Sequence, residues 1–297
     1  MTASPAAVPL ALACAATWFS APLAGTLASR DEAFQNELVR AEMVADVENI
    51  AAGGAFRLAV RLSIAPGWHL NWLNPGDAGL APSVEWSLPE GLAAAPVSWP
   101  FPRSHAAGPL VIFGYEGELL LVAEVSVAPD FAPGTPVTLG ATVSWLACRE
   151  ACVPGEAMLS LSLPLAKSAR AQARWRSAFD ALAARYPAAT ADWRVESWFE
   201  DEDAIYIEMQ TARPGTALLE GVVFFPYEQG VIENAEPQTL ARVETSGRPG
   251  GYRLRVQRSR TVGATPPRLT GVLVSERGFD GGGAPSALVV DVPLEER

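Results

Sequence analysis

The sequence predicts an all-β protein, two antiparallel β-sandwiches joined by a single helix. Three observations carry that expectation. From Leu38 onward apolar and polar residues alternate in short runs, the period of half-buried strands. Proline and glycine, 25 of each in 297 residues, punctuate those runs. One stretch, Lys167 to Tyr186, has neither and carries a helical stripe instead.

The elements follow in chain order. Arg30 is the first charge, and the uncharged, Ala- and Leu-rich stretch before it reads as a secretory signal over residues 1–28. Thr26-Leu27-Ala28 offers small residues for cleavage after Ala28. The stretch lacks a basic leading segment, and an uncleaved anchor is the competing reading, since it is long enough to cross a bilayer. Pro5, Pro9 and Pro22 weigh against the anchor.

Residues 36–166 read as the first sandwich. Phe56, Leu58, Val60, Leu62 and Ile64 share one face, with Arg57 and Arg61 on the other. The same period recurs from Leu119 to Val127 and from Val137 to Trp145. Residues 167–187 read as a connector helix, with Trp175, Phe179, Leu182 and Tyr186 on one side and Pro187 as the stop. Residues 190–297 read as the second sandwich, with strand patterns at Trp193–Phe199, Ala204–Gln210, Ala217–Phe225, Tyr252–Gln257, Arg268–Ser275 and Ala287–Val292. Within it, the acidic run Glu200 to Asp203 reads as a solvated turn, with a cation site as the alternative. Gly281-Gly282-Gly283 lacks the Lys and helix of a phosphate loop and reads as a hairpin.

Composition narrows the chemistry. Hydrophobic residues make up 49% and the net charge is −11, so the chain can bury a core but has no basic footprint for nucleic acid. There are only two histidines, His69 and His105, and three cysteines. Cys14 lies in the signal, which leaves Cys148 and Cys152 in an oxidising compartment, where they are expected to pair.

The pair is four residues apart, close enough for a helical turn or a tight hairpin loop to bridge it. As a staple it does little. Closing a loop of about five residues stabilises a fold by roughly 2 kcal/mol, against about 4.7 for a loop of a hundred. Close pairs at a turn suit disulfides that open and close, the second thiol resolving a mixed disulfide made by the first. Zinc would need four ligands, and enlisting both histidines requires distant loops to converge. Copper(I) is content with two thiolates and stands as the rival occupant of Cys148 and Cys152. Trp68, Trp72, Trp86 and Trp99 read as core or sheet-edge aromatics, His69 as a hydrogen-bonded structural residue before a base or ligand, and Asp77 as a turn residue bonding its own backbone.

Several segments together resemble a known family. They are Gly67-Trp68-His69, Asn74 to Leu80, Val84-Glu85-Trp86, Leu88 to Gly91, Trp99-Pro100, Phe113 to Gly117 and Cys148 to Glu156, with looser likeness at Phe224 to Tyr227, Ile232 to Ala235 and Leu269 to Leu273. The chain resembles the periplasmic N-terminal domain of the thiol:disulfide interchange protein DsbD, above all its ScsB relatives (suppressor of copper sensitivity). The resemblance implies an immunoglobulin-like sandwich in the periplasm, acting as a protein-disulfide reductase. Its cysteine pair would relay electrons from a membrane partner to thioredoxin-fold proteins, in the orbit of cytochrome c assembly, with no cofactor beyond the cysteines. It also implies that Cys152 forms the mixed disulfide and Cys148 resolves it. A cap loop at Phe113 to Gly117 would shield the sulfurs through Phe113 or Tyr115, with Glu116 and His69 shaping the site. The three residues between the cysteines match the ScsB branch, which keeps copper in view. Relatives continue into a polytopic domain and a thioredoxin-like domain, whereas this sequence runs to Arg297 with neither, so the expected donor is a separate chain.

Overall fold

A computed structural model describes Met1, Ala284 and residues 34–35, 38–132, 136–188, 192–200, 203–211, 219–245, 248–260, 266–279 and 286–297. The signal segment with Cys14, Asp201 and Glu202 of the acidic run, and Gly281 to Gly283 lie outside the described residues. Asp31 to Arg297 form one compact unit.

The fold is all-β and immunoglobulin-like. The first half contributes β1 (Phe34–Gln35), β2 (Val39–Ala45), β3 (Val47–Asn49), β4 (Ala55–Ile64), β5 (His69–Gly76), β6 (Ser83–Ser87), β7 (Leu92–Ala94), β8 (Arg103–Ala107), β9 (Leu110–Tyr115), β10 (Glu118–Val127), β11 (Val137–Cys148) and β12 (Cys152–Leu163). They make two antiparallel sheets, β1-β2-β4-β10-β7 and β12-β11-β5-β9-β8, with β6 also paired to β11. Register follows the apolar alternation. Leu58 faces Ala123, Val60 faces Leu121 and Leu62 faces Leu119, so these residues of β4 and β10 turn to one side. Val137, Leu139, Ala141, Val143, Trp145 and Ala147 of β11 are buried in the same core. Each buried Val or Leu of this set contributes about 1.5–3 kcal/mol.

The helix is shorter than its pattern. Helix α1 spans Ala173–Ala183, because Arg170 and Ala171 form β13 against β3, and Gln172 N–H donates to the Asp46 carbonyl. Nor is α1 merely a connector. Phe179, with Trp175, Leu182 and Tyr186 beside it, packs on Val44, Ala59, Leu120 and Val122, the outer face of β2, β4 and β10. This accounts for Ala59, which is buried where alternation alone would expose it. Arg57 on that face ion-pairs with Asp46 and with Asp180 of α1 while lying over the Phe179 ring, and Arg61 pairs with Glu42 and Glu118.

The second half contributes β14 (Trp193–Glu200), β15 (Ala204–Thr211), β16 (Val222–Pro226), β17 (Thr239–Thr245), β18 (Arg248–Gln257), β19 (Arg268–Ser275) and β20 (Ser286–Glu296). They follow one path, β16-β19-β20-β14-β15-β18-β17, in which β20 pairs antiparallel with β19 and then parallel with β14. Residues from both ends of that path, such as Phe224 and Leu273 on one side and Ile207 and Leu254 on the other, share one core. Phe225, Val272 and Ala287 instead join the first half's core. Phe225 meets Phe113 edge-on at 4.9 Å and Trp72 at 6.2 Å between ring centroids. Asn74 Nδ2 donates to the carbonyls of Pro226 and Glu228 at 2.8 and 3.1 Å. No described helix is long and apolar enough to cross a membrane.

Candidate redox site

Strands β11 and β12 are twelve residues each and pair without a slip from Val137↔Leu163 to Cys148↔Cys152. Of the two local geometries the spacing allows, the chain uses the hairpin. The loop Arg149 to Ala151 closes it, with Arg149 N–H donating to the Ala151 carbonyl at 3.1 Å. The two cysteines form a disulfide, their Cα atoms 4.1 Å apart. Strand β12 starts at Cys152, so that Pro154 and Gly155 lie inside it. Pro154 is tolerated because β12 is an edge strand. Gly155 opposite Trp145 leaves room for the indole: a Cβ there would fall 2.4 Å from Nε1.

Position in the sheet makes the two sulfurs unequal. Cys148 sits on β11, flanked by β12 and β5, and is 5% exposed, whereas Cys152 on the edge is exposed. On the far side Cys148 is register partner to His69 of β5. Directly opposed residues point to the same face, so Cys152, Cys148 and His69 form one row across three strands. The His69 ring stacks on His105 of β8, centroids 5.7 Å apart and 8° from parallel. His105 Nδ1 lies 3.3 Å from a Glu116 carboxylate oxygen. Burial and the neighbouring His105 push the His69 imidazole below its ordinary value, against the opposing pull of Glu116. Arg149 of the loop lies over the Trp68 ring at 5.1 Å.

His69 thus reaches Glu116 only through His105, and Phe113 and Tyr115 lie on the other face of the sheet from the sulfurs. Strand β9 runs to Tyr115, which pairs with Leu70, itself opposite Ala147. That puts Tyr115 and Phe113 on the core side of the sheet, opposite the cysteine row. Phe113 is 2% exposed against Phe225, and Tyr115, 3% exposed, donates its hydroxyl to the Pro100 carbonyl at 2.6 Å. Burial holds the Tyr115 phenol well above its ordinary value. Asp77 also differs from its expected role: it accepts from Val111 N–H at 2.7 Å and from Asn234 Nδ2 at 2.8 Å, joining β9 to the second half. Trp72 is core, and Trp68, Trp86 and Trp99 are half-buried against it. His105 has no periodic pattern around it, and only its being the second of two histidines marks it in the sequence. Among the described residues no group of three or more His, Cys, Asp or Glu side chains is arranged to hold a metal ion.

Farther along the same hairpin an open cleft of about 420 Å³ is lined by Leu80, Ala81, Ser144, Trp145, Leu146, Pro154, Gly155 and Glu156.

The fold has known counterparts. Residues 35–164 match the family described as thiol:disulfide interchange protein DsbD, N-terminal. They form a DsbD N-terminal-like domain. The N-terminal periplasmic domain of ScsB from Proteus mirabilis is similar over 87% of this chain and 94% of that one, with a TM-score of 0.56 and 17% identity. The GAE domain of yeast GGA1 (TM-score 0.26, 10% identity, 43% of this chain and 94% of that one) and the Bacillus cereus pilin BcpA (0.27, 7%, 87% and 70%) are too distant to bear on the argument. No curated relative matches the chain.

Proposed function

We propose that this protein is an extracytoplasmic protein-disulfide reductase. It relays electrons from a membrane donor to thioredoxin-fold proteins through Cys148 and Cys152. The observation that carries the reading is the inequality of the two sulfurs, one buried in the sheet and one open at its edge. In the reduced state a Cys152 thiolate attacks a partner disulfide. A bond forms between Cys152 and one partner sulfur, and the other leaves as thiolate. Cys148 then attacks Cys152, the intramolecular disulfide closes, and the partner departs as a dithiol carrying two electrons. The donor restores the pair by the reverse exchange. No cofactor beyond the sulfurs enters these steps. The match to a DsbD N-terminal domain supports the chemistry, and the similar domain of ScsB, described as periplasmic, supports the compartment.

The test is trapping. Cys148→Ala, incubated reduced with an oxidised thioredoxin-fold protein, accumulates a mixed disulfide at Cys152, visible on a non-reducing gel. Cys152→Ala forms none. If neither variant forms an adduct, or if both do so equally, the reading fails.

A further inference from the structure

The chain has two histidines, and the fold brings both to one place beside Cys148. We propose that His69 accepts the Cys148 thiol proton in the resolving step. The proposal rests on the relay reading above. Resolution needs a Cys148 thiolate, and apolar burial disfavours thiolates in general. Cys148 is 5% exposed, so a base must reach it from within the protein. On one side its cross-strand neighbour is Cys152; on the other it is His69. Side chains directly opposed across strands have their Cβ atoms about 4.5–5.5 Å apart, and the disulfide itself establishes which face the row occupies. His69 is thus the cross-strand neighbour of Cys148 on the face that carries the sulfur.

The surroundings suit a base. The His69 ring is held by its stack on His105, which Glu116 anchors at 3.3 Å. The charged and titratable groups around it are Cys148 on β11, His105 on β8, Glu116 after β9 and Arg149 over the adjacent Trp68. Burial and His105 favour the neutral imidazole of His69. The step balances. The Cys148 proton passes to a His69 ring nitrogen, the thiolate attacks Cys152, the partner sulfur leaves as thiolate, and the imidazolium returns a proton to it. His69 ends as it began.

The probe is oxidised glutathione. Reduced full-length protein is mixed with it, and single-turnover release of glutathione from the Cys152 adduct is followed from pH 5 to pH 10. In the wild type the rate climbs through an acid limb below the usual imidazole value and levels off near neutrality. His69→Gln loses that limb and is slowed about a hundredfold at pH 7, converging on the wild type at alkaline pH, where Cys148 ionises unaided. A merely structural role would slow the step equally at every pH, and that result overturns the proposal. Glu116→Gln, at an exposed side chain, supplies the second reading should His69→Gln fold poorly. Removing the carboxylate that favours the imidazolium moves the limb to lower pH, and an unmoved limb overturns the proposal too. The relay reading fails separately, and this proposal with it, when Cys148→Ala forms no adduct with glutathione or with a thioredoxin-fold protein.

Discussion

The two halves are built alike and used differently. Each surrounds an apolar core with antiparallel strands. The first holds Cys148, Cys152 and both histidines, and the second has no cysteine or histidine at all. Yet the second is not an idle appendage. Its Phe225, Val272 and Ala287 complete the first half's core, and its backbone carbonyls at 226 and 228 hold Asn74. The strands it braces are β5 and β9, which carry His69 and lead into Glu116. Chemistry thus occupies one hairpin end, while the half without reactive groups fixes the strand beside it.

If that division holds, the largest effect comes from breaking the shared core. Trp72 is fully buried and touches Phe225 and Tyr227. Trp72→Ala should cost about 3–5 kcal/mol, read by chemical denaturation, and Phe225→Ala should act similarly from the other side. Both halves should unfold in one transition. Two separate transitions in the wild type would make them independent neighbours.

A smaller effect isolates the polar part of the same junction. Asn74, 2% exposed, donates to the Pro226 and Glu228 carbonyls and accepts from Gly76 N–H at 2.9 Å. Asn74→Ala leaves those groups without partners and should cost about 1–3 kcal/mol. Because β5 also carries His69, the same variant should slow glutathione release while leaving alkylation of reduced Cys152 unchanged. Equal slowing of both would place the brace on the hairpin itself.

Much of this fold is legible in the sequence, and the gaps have physical causes. Strand β11 matches its alternation closely, since it turns a single face to a core, whereas β4 and β10 are also covered by α1 and β19 sends Val272 to the first half's core and Leu273 to the second's. The helix pattern overruns the true start because periodicity cannot register that Arg170 and Ala171 find backbone partners on β3. The first residues of β12 are hidden by Pro154 and Gly155, which an edge strand and a facing tryptophan accommodate. Strand β17, Thr239–Thr245, is polar at most positions and gives no period. At the site, the cysteine pairing follows from the two cysteines left after the signal segment and from their close spacing. The histidine stack does not, since it depends on β8 and β5 coming together through the tertiary fold. Phe113 and Tyr115 sit in the right segment but on the wrong face, and facing is decided by register with Leu70.

The finest contrast between the halves uses two matched cation–π pairs. Arg149 lies over Trp68 at 5.1 Å beside the cysteines, and Arg242 lies over Tyr252 at 6.0 Å in the second half. Each pair is worth about 0.5–1 kcal/mol at an exposed site, so Arg149→Ala and Arg242→Ala should lower stability by similar small amounts. Their chemistry should differ. Arg149 is the cation adjoining Cys148 in the loop, and a nearby cation favours a thiolate over a thiol. In reduced Arg149→Ala, the pH at which Cys152 reacts with iodoacetamide should move upward, while Arg242→Ala leaves it unchanged. An equal shift in both would mean that the second half tunes the sulfurs at long range, and an unchanged Arg149→Ala would mean that burial of Cys148 and the His69 row set their reactivity without the loop's charge.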